Sequence, residues 1–121
     1  MRIYIGHSKQ FDYEKNLYEP IRKSRLNSEN EIVFPHEKSD APFSSKNFLK
    51  TFDVMVAEVS YPATGLGIEL GWASCSGYPI ICLYKKGSKI SSSLRTITNR
   101  FLEYNDEKEM ISLLYEELKN L

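Results

Sequence analysis

Residues 54–73 hold the feature that most constrains the fold: the apolar run Val54-Met55-Val56-Ala57-Glu58-Val59, then the turn residues Tyr61-Pro62-Ala63-Thr64-Gly65, then Leu66-Gly67-Ile68-Glu69-Leu70-Gly71-Trp72-Ala73. The β-branched run has the composition of a strand buried on both faces, and the glycine-bearing turn after it opens a helix. A buried strand turning directly into a helix is the repeating unit of an open α/β sheet. In such sheets ligands bind beyond the carboxyl ends of the strands, where glycines let backbone N–H groups approach an anion closely. Glu69 is then a carboxylate facing that edge. The helix N-terminus is expected to favour its ionised form, which suits a nucleophile and not a general acid.

The remaining chain repeats the alternation of short apolar strands with helical segments, the pattern of βαβ units and a parallel sheet. Strand one is expected over Arg2 to Gly6, followed by a loop through Asp12 and a helix from about Tyr13 to Leu26. Pro20 falls inside that helix, so either it kinks there or the helix proper begins near Pro20. Strand two is read at Glu31 to Phe34, with a polar loop from Pro35 to Ser44 and a short helix capped by Ser44 or Ser45. Strand three is Asp53 to Val59. The Glu69 helix runs to about Ser76 and stops at Gly77. Strand four is Pro79 to Tyr84, and a basic loop from Lys85 to Ile90 leads to a short helix from Ser91 or Ser92 to Ile97. A last strand near Arg100 to Tyr104 precedes a helix from Asp106 to Leu121. The expectation is one doubly wound, flavodoxin-like or Rossmann-like α/β domain over residues 1–121, with a five-stranded parallel sheet flanked by helices.

A chain of 121 residues fits a single compact core. Its 16 basic and 16 acidic residues cancel and are interspersed, so a surface for extended nucleic acid is not expected. The longest apolar run, Pro79 to Tyr84, is too short to span a bilayer, and the opening Met1-Arg2-Ile3-Tyr4-Ile5-Gly6 reads as a strand and not a secretory signal. A cytoplasmic protein is expected. Cys75 and Cys82 have no metal-like spacing, which leaves reduced, structural thiols, and no metal or cofactor is implied.

The segment Asp53-Val54-Met55-Val56-Ala57-Glu58-Val59 with Pro62, Gly65, Gly67, Glu69, Leu70, Gly71 and Ala73 resembles the strand, phosphate loop and nucleophile helix of the nucleoside 2-deoxyribosyltransferase superfamily. The closest resemblance is to its branch of 2′-deoxynucleoside 5′-monophosphate N-glycosidases. Gly6, the stretch Leu17-Tyr18-Glu19, and Ser91 with Leu94-Arg95 add weaker correspondences. The resemblance implies cleavage of an N-glycosidic bond by double displacement, in which Glu69 attacks the anomeric carbon and water resolves the glycosyl-enzyme. It places the phosphate at Gly6, His7, Lys9, Gly65, Gly67 and Ser91, with Ser91 reaching into a neighbouring subunit, which implies a homodimer. Tyr4 and His36 are the candidate base or sugar contacts.

The departures from the family pattern are specific. His7 and Lys9 stand where the family has serine and arginine, and Ala63 replaces a phosphate-binding serine, leaving Thr64 next door to supply a hydroxyl. The family aspartate in the helix ahead of strand three is here Ser45, which has neither charge nor a useful pKa, and Asp40 is the nearest acidic alternative. Asp53 opens strand three at the end opposite the ligand edge and is read as structural. Tyr4 is one position away from the family's strand-one tyrosine, so strand alternation allows it to face away from the pocket. Two classes of function follow. One is a hydrolase acting on a nucleotide or nucleoside, with base exchange or NAD-type cleavage as lesser enzyme readings. The other is a nucleotide-binding module in which the loss at Ser45 has stopped turnover.

Overall fold

The computed structural model describes residues 1–37 and 51–121. The expected helix after Ser44 or Ser45, Ser45 itself and Asp40 lie outside the described residues. In chain order the elements are β1 (Arg2–His7); α1, a π-helical turn Glu14–Tyr18 running into the α-helical turn Glu19–Arg22; α2 (Arg25–Glu29); β2 (Glu31–Val33); and β3 (Val54–Glu58). They continue with α3 (Thr64–Cys75), β4 (Ile80–Lys85), a 3-10 turn Ser92–Thr96, β5 (Phe101–Tyr104) and α4 (Glu107–Leu118). The five strands form one sheet in the order β2-β1-β3-β4-β5, and every neighbouring pair is parallel. This is the flavodoxin-type doubly wound order, whose switch point lies between β1 and β3.

Strand alternation divides the core into two layers. Ile3, Ile5, Val54, Val56, Ile81 and Leu83 face the side covered by α1, α2 and α4, where they meet Leu17, Ile21, Leu26, Met110 and Leu114. Tyr4, Met55, Ala57, Ile80 and Cys82 face the other side and pack on Leu66, Leu70 and Ala73 of α3. Cys82 is thus a buried structural thiol, Cys75 lies exposed, and both are free.

The segment expected as a helix from Tyr13 to Leu26 does have its α-helical part begin near Pro20, one of the two readings the proline allows, and is broken again at Ser24; each break has a local cause. Pro20 offers no N–H, and its ring would crowd the carbonyl one turn back in a regular α-helix. The chain widens to a π turn directly before it, closed by the Glu19 N–H on the Glu14 carbonyl. The α-helical part begins at Glu19 with proline in its first turn, where a missing N–H costs nothing. The second break is at Ser24, whose hydroxyl accepts the Leu26 N–H at 3.2 Å and caps α2. At the far end of the sheet Asp106 caps α4 by accepting the Glu109 N–H at 2.9 Å. Gly77, with φ 78°, adopts the left-handed conformation that ends α3.

The strand ends on the ligand edge are tied by a buried carboxylate. Glu58, 1% exposed, accepts the Ser60 N–H at 2.7 Å and the Ser60 hydroxyl at 2.9 Å, and also accepts the Tyr104 hydroxyl. The Ser60 oxygen in turn accepts the Lys85 N–H at 2.8 Å. One carboxylate therefore fixes the ends of β3, β4 and β5 and the start of the loop into α3. At the opposite edge Asp53 accepts the Arg2 N–H at 2.7 Å. Removing Glu58 strands a tyrosine hydroxyl and a serine in a dry site, so Glu58→Ala is expected to lower stability by about 2 kcal/mol or more, measured as the urea midpoint at unchanged m-value.

Candidate active site

Glu69 lies in the second turn of α3, and the packing of α3 on β1 carries its side chain to the sheet. The approach is possible because β1 has glycine there: a Cβ on Gly6 would stand 3.0 Å from Leu66 Cδ1, 3.2 Å from Met55 Cε and 3.3 Å from Glu69 Oε1. Tyr4 is fully buried on the same sheet face, and its hydroxyl donates to Glu69 Oε2 at 2.7 Å. Tyr4 therefore does not turn away from the Glu69 side of the sheet, as strand alternation had allowed. Its parity with Met55 and Ala57 sets it under α3, where it meets the carboxylate and not a base or sugar.

Burial raises the Glu69 pKa above the ordinary carboxylate value, and the hydrogen bond from Tyr4 opposes the shift without overcoming it. The expected dominance of the helix N-terminus is thus also corrected: desolvation is the larger influence, since Glu69 lies beyond the first turn where the dipole acts. The result is a half-buried carboxylate with one oxygen held from behind. The Tyr4 hydroxyl is itself pushed far above its usual range, chiefly by burial and next by the neighbouring carboxylate, so it stays a donor.

Two cavities flank α3. The first, about 610 Å³, is lined by His7, Ser8 and Lys9 after β1, His36 after β2, and Gly65 and Glu69 of α3, which is the β1/β3 switch point. The second, about 560 Å³, lies on the other side of α3 and includes Gly67, Gly71, Ser91, Leu94 and Ile97. Among the described residues its lining has no carboxylate, imidazole or ammonium group, whereas the first cavity has all three. Of the sequence-derived candidates, His7, Lys9, Gly65, His36 and Glu69 thus come together, with Gly6 behind them. Gly67 and Ser91 do not join them within this chain. Gly67 sits two residues before Glu69 and so projects from another helix face, while Ser91 caps the 3-10 turn, its hydroxyl accepting the Ser93 N–H at 3.3 Å.

His7 cannot act as a free phosphate ligand through its ring. Nδ1 meets the Ser8 carbonyl at 2.8 Å and Nε2 meets the Tyr18 hydroxyl at 2.5 Å. A carbonyl only accepts, so Nδ1 carries the proton and Nε2 takes the tyrosine's. Tyr18 completes the chain by accepting the His36 N–H at 3.1 Å. That Tyr18 fixes both histidine segments is not legible in the linear sequence, because the residues it joins lie 11 and 18 positions away from it and meet only on packing. Burial lowers the His7 pKa to about 4, so the ring is neutral near pH 7.

The features suited to an anion lie in the same cavity, at the amino end of α3. Ala63 precedes α3 with extended φ/ψ and no side-chain cap, leaving the first-turn N–H groups beside Thr64 and Gly65 directed outward. Facing them, Ser8 accepts the Gln10 N–H at 3.0 Å. Phe11 stacks on Tyr61 at 5.3 Å and 18° between planes, joining the loops after β1 and β3. Among the described residues no group of three or more His, Cys, Asp or Glu side chains is placed to hold a metal ion, and no helix is long and apolar enough to cross a membrane.

No protein-family model matches the chain. It is 36% identical over 90 residues to the 5-hydroxymethyl-dUMP N-hydrolase of Mus musculus, a match covering 69% of this chain and 49% of that protein. With the Rattus norvegicus protein of the same name it shares 45% identity over 51 residues, 40% of this chain and 31% of the relative. The matches thus span about half or less of these curated relatives. Among solved structures, a CMP N-glycosidase from Clostridium botulinum superposes with a TM-score of 0.66 at 25% identity, covering 98% of this chain and 99% of its own.

The buried imidazole makes stability depend on pH in a definite direction. Above the free value of 6.5 His7 is neutral in both states; between 6.5 and about 4 the unfolded chain binds a proton that the folded one refuses. Stability is therefore expected to fall as pH drops through that window, by on the order of 3 kcal/mol at its lower end. Urea unfolding of wild type and His7→Asn across this range tests it, the variant being expected to lose that part of the slope.

Proposed function

We propose that this chain, which its relatives and its solved neighbour support as a member of the nucleoside 2-deoxyribosyltransferase superfamily on the nucleotide N-hydrolase branch, hydrolyses the N-glycosidic bond of a nucleoside 5′-monophosphate. The observation that carries the reading is Glu69: a desolvated carboxylate, held from behind by Tyr4, opening into a cavity at the sheet's switch point. A carboxylate so placed is suited to attack the anomeric carbon. Its oxygen forms an ester to C1′ as the C1′–N bond breaks, the electron pair leaves with the base, and the base takes a proton. Water then adds to C1′ and gives up a proton to solvent, balancing the one taken by the base, the ester oxygen returns to Glu69 as carboxylate, and sugar 5-phosphate is released. The 5′-phosphate is assigned to Gly65 and the uncapped first turn of α3 with Ser8 and Lys9, where backbone N–H groups and one ammonium supply the attraction. His7 shapes this end as a neutral brace, and His36 is kept as the candidate contact to base or sugar.

The same reading makes the molecule a cytoplasmic homodimer. It draws support from α3, whose only charged side chain is Glu69, and from the apolar cavity beside it where Ser91 lies. A helix without a polar solvent face is suited to a partner, and Gly67 and Ser91 acquire their phosphate role there through the second subunit. The binding-module reading rests on one sequence fact, the serine at position 45 in place of the family aspartate.

Release of free base from a panel of nucleoside 5′-monophosphates, nucleosides and NAD decides between them. Base release from monophosphates, abolished in Glu69→Ala, is the expected outcome; a nucleotide that raises the melting temperature without losing its base would leave the binding module standing. Because the nucleophile must be ionised and burial raises its pKa, kcat/KM is expected to fall on acidification at a pH above the usual glutamate range. Removing the hydrogen bond that opposes this shift moves the limb further: Tyr4→Phe is expected to displace it to still higher pH and to lower kcat/KM by about tenfold, read from pH–rate profiles of the two proteins.

A further inference from the structure

Glu69 shares its cavity with an aromatic side chain that the catalytic reading leaves without work. Trp72 lines the same wall, is partly buried against the Tyr4, Met55 and Leu70 layer, and lies three residues beyond Glu69. That spacing sets the two side chains as neighbours on one face of α3. The lining residues of this face run in the order Gly65, Glu69, Trp72 from the amino end. At the helical rise of about 1.5 Å per residue, Glu69 stands roughly 6 Å beyond Gly65 and Trp72 roughly 4.5 Å beyond Glu69. A nucleoside monophosphate has the same linear order of phosphate, anomeric carbon and base.

The remaining planar groups in the cavity are less suited to hold a base. The His7 ring is committed through both nitrogens and sits at the phosphate end with Ser8 and Lys9, while His36 and Pro35 form the wall contributed by the segment after β2. An indole offers the largest π-face of any side chain, and base-on-aromatic stacking tolerates different bases because each has a π-face of its own.

We infer that the indole of Trp72 is the stacking wall for the nucleobase, with Glu69 beneath the sugar and Gly65 at the phosphate. This rests on the nucleotide reading of the cavity and adds to it a residue that sets affinity for the base. Stacking also holds the base while the C1′–N bond to it breaks, so Trp72 acts on substrate binding more than on the bond-breaking step, and its loss falls on KM before kcat.

Trp72 is the single tryptophan of the chain, so intrinsic fluorescence reports on it alone. Glu69→Gln, intended to hold substrate without consuming it, is titrated with dGMP, dCMP and 2-deoxyribose 5-phosphate while tryptophan emission and melting temperature are followed. Both nucleotides are expected to change the emission saturably, and the sugar phosphate to raise the melting temperature with little change in emission. In the otherwise wild-type enzyme Trp72→Ala is expected to raise KM by roughly tenfold, with Trp72→Phe recovering most of it and the inhibition constant of 2-deoxyribose 5-phosphate unmoved. Nucleotides that raise the melting temperature yet leave both the emission and the KM of Trp72→Ala unchanged overturn the stacking wall and leave the nucleotide reading intact. Failure of every nucleotide and of the sugar phosphate to shift the melting temperature overturns the nucleotide reading itself, and the stacking wall with it.

Discussion

Everything at the candidate site depends on the close packing of α3 against the bare backbone of β1 at Gly6. The Glu69 oxygen and the Leu66 and Met55 side-chain ends all crowd the space that a Cβ there would take, so the helix and the strand are fixed relative to each other by the absence of a side chain. That contact desolvates the carboxylate, brings it to the Tyr4 hydroxyl, and sets the cavity mouth between the loops that follow β1 and β3. A larger residue would push the Glu69 carboxylate back from the strand and from Tyr4.

Two glutamates on successive elements show how environment separates structure from chemistry. Both have raised pKa values with desolvation as the first cause. Glu58 receives hydrogen bonds from the Ser60 N–H, the Ser60 hydroxyl and the Tyr104 hydroxyl, so both of its oxygens are engaged inside the protein and it serves as a tie between strand ends. Glu69 receives one, from Tyr4, and faces a cavity. A buried carboxylate with both oxygens tied by internal donors is a poor nucleophile, whereas one oriented by a single donor and partly stripped of water retains an oxygen for attack.

The histidine segments solve a different problem. The imidazole at position 7 is a bulky, titratable ring on the cavity wall, and its surroundings hold it neutral. Burial, the Ser8 carbonyl and the Tyr18 hydroxyl keep one tautomer in place. The cavity wall gains rigidity from the chain running from the His36 backbone through Tyr18 to His7, while the positive charge at this end is left to Lys9 and the backbone.

The five strands, their parallel sense, the α3 helix after β3 and the prominence of Glu69 were legible in the sequence, because buried β-branched runs and a glycine-bearing turn are local signals that no other fold uses as readily. Local chemistry also marks the helix stop at Gly77 and the helix start at Asp106. Other features were decided only by tertiary structure. Whether Tyr4 faced the pocket depended on which sheet face α3 would cover, a fact about layers and not about strand one. The Glu69 pKa was misjudged from the helix dipole because desolvation arises from residues distant in sequence. Gly67 and Gly65, alike in the linear motif, fall on opposite sides of one helix, since a two-residue step turns the face away. The fixed tautomer of His7 comes from the Ser8 carbonyl and from Tyr18, which meets the ring only once the helix has packed on the sheet. Sequence determines what each segment prefers alone; burial and distance, which set pKa values and hydrogen-bond partners, exist only once the segments have packed.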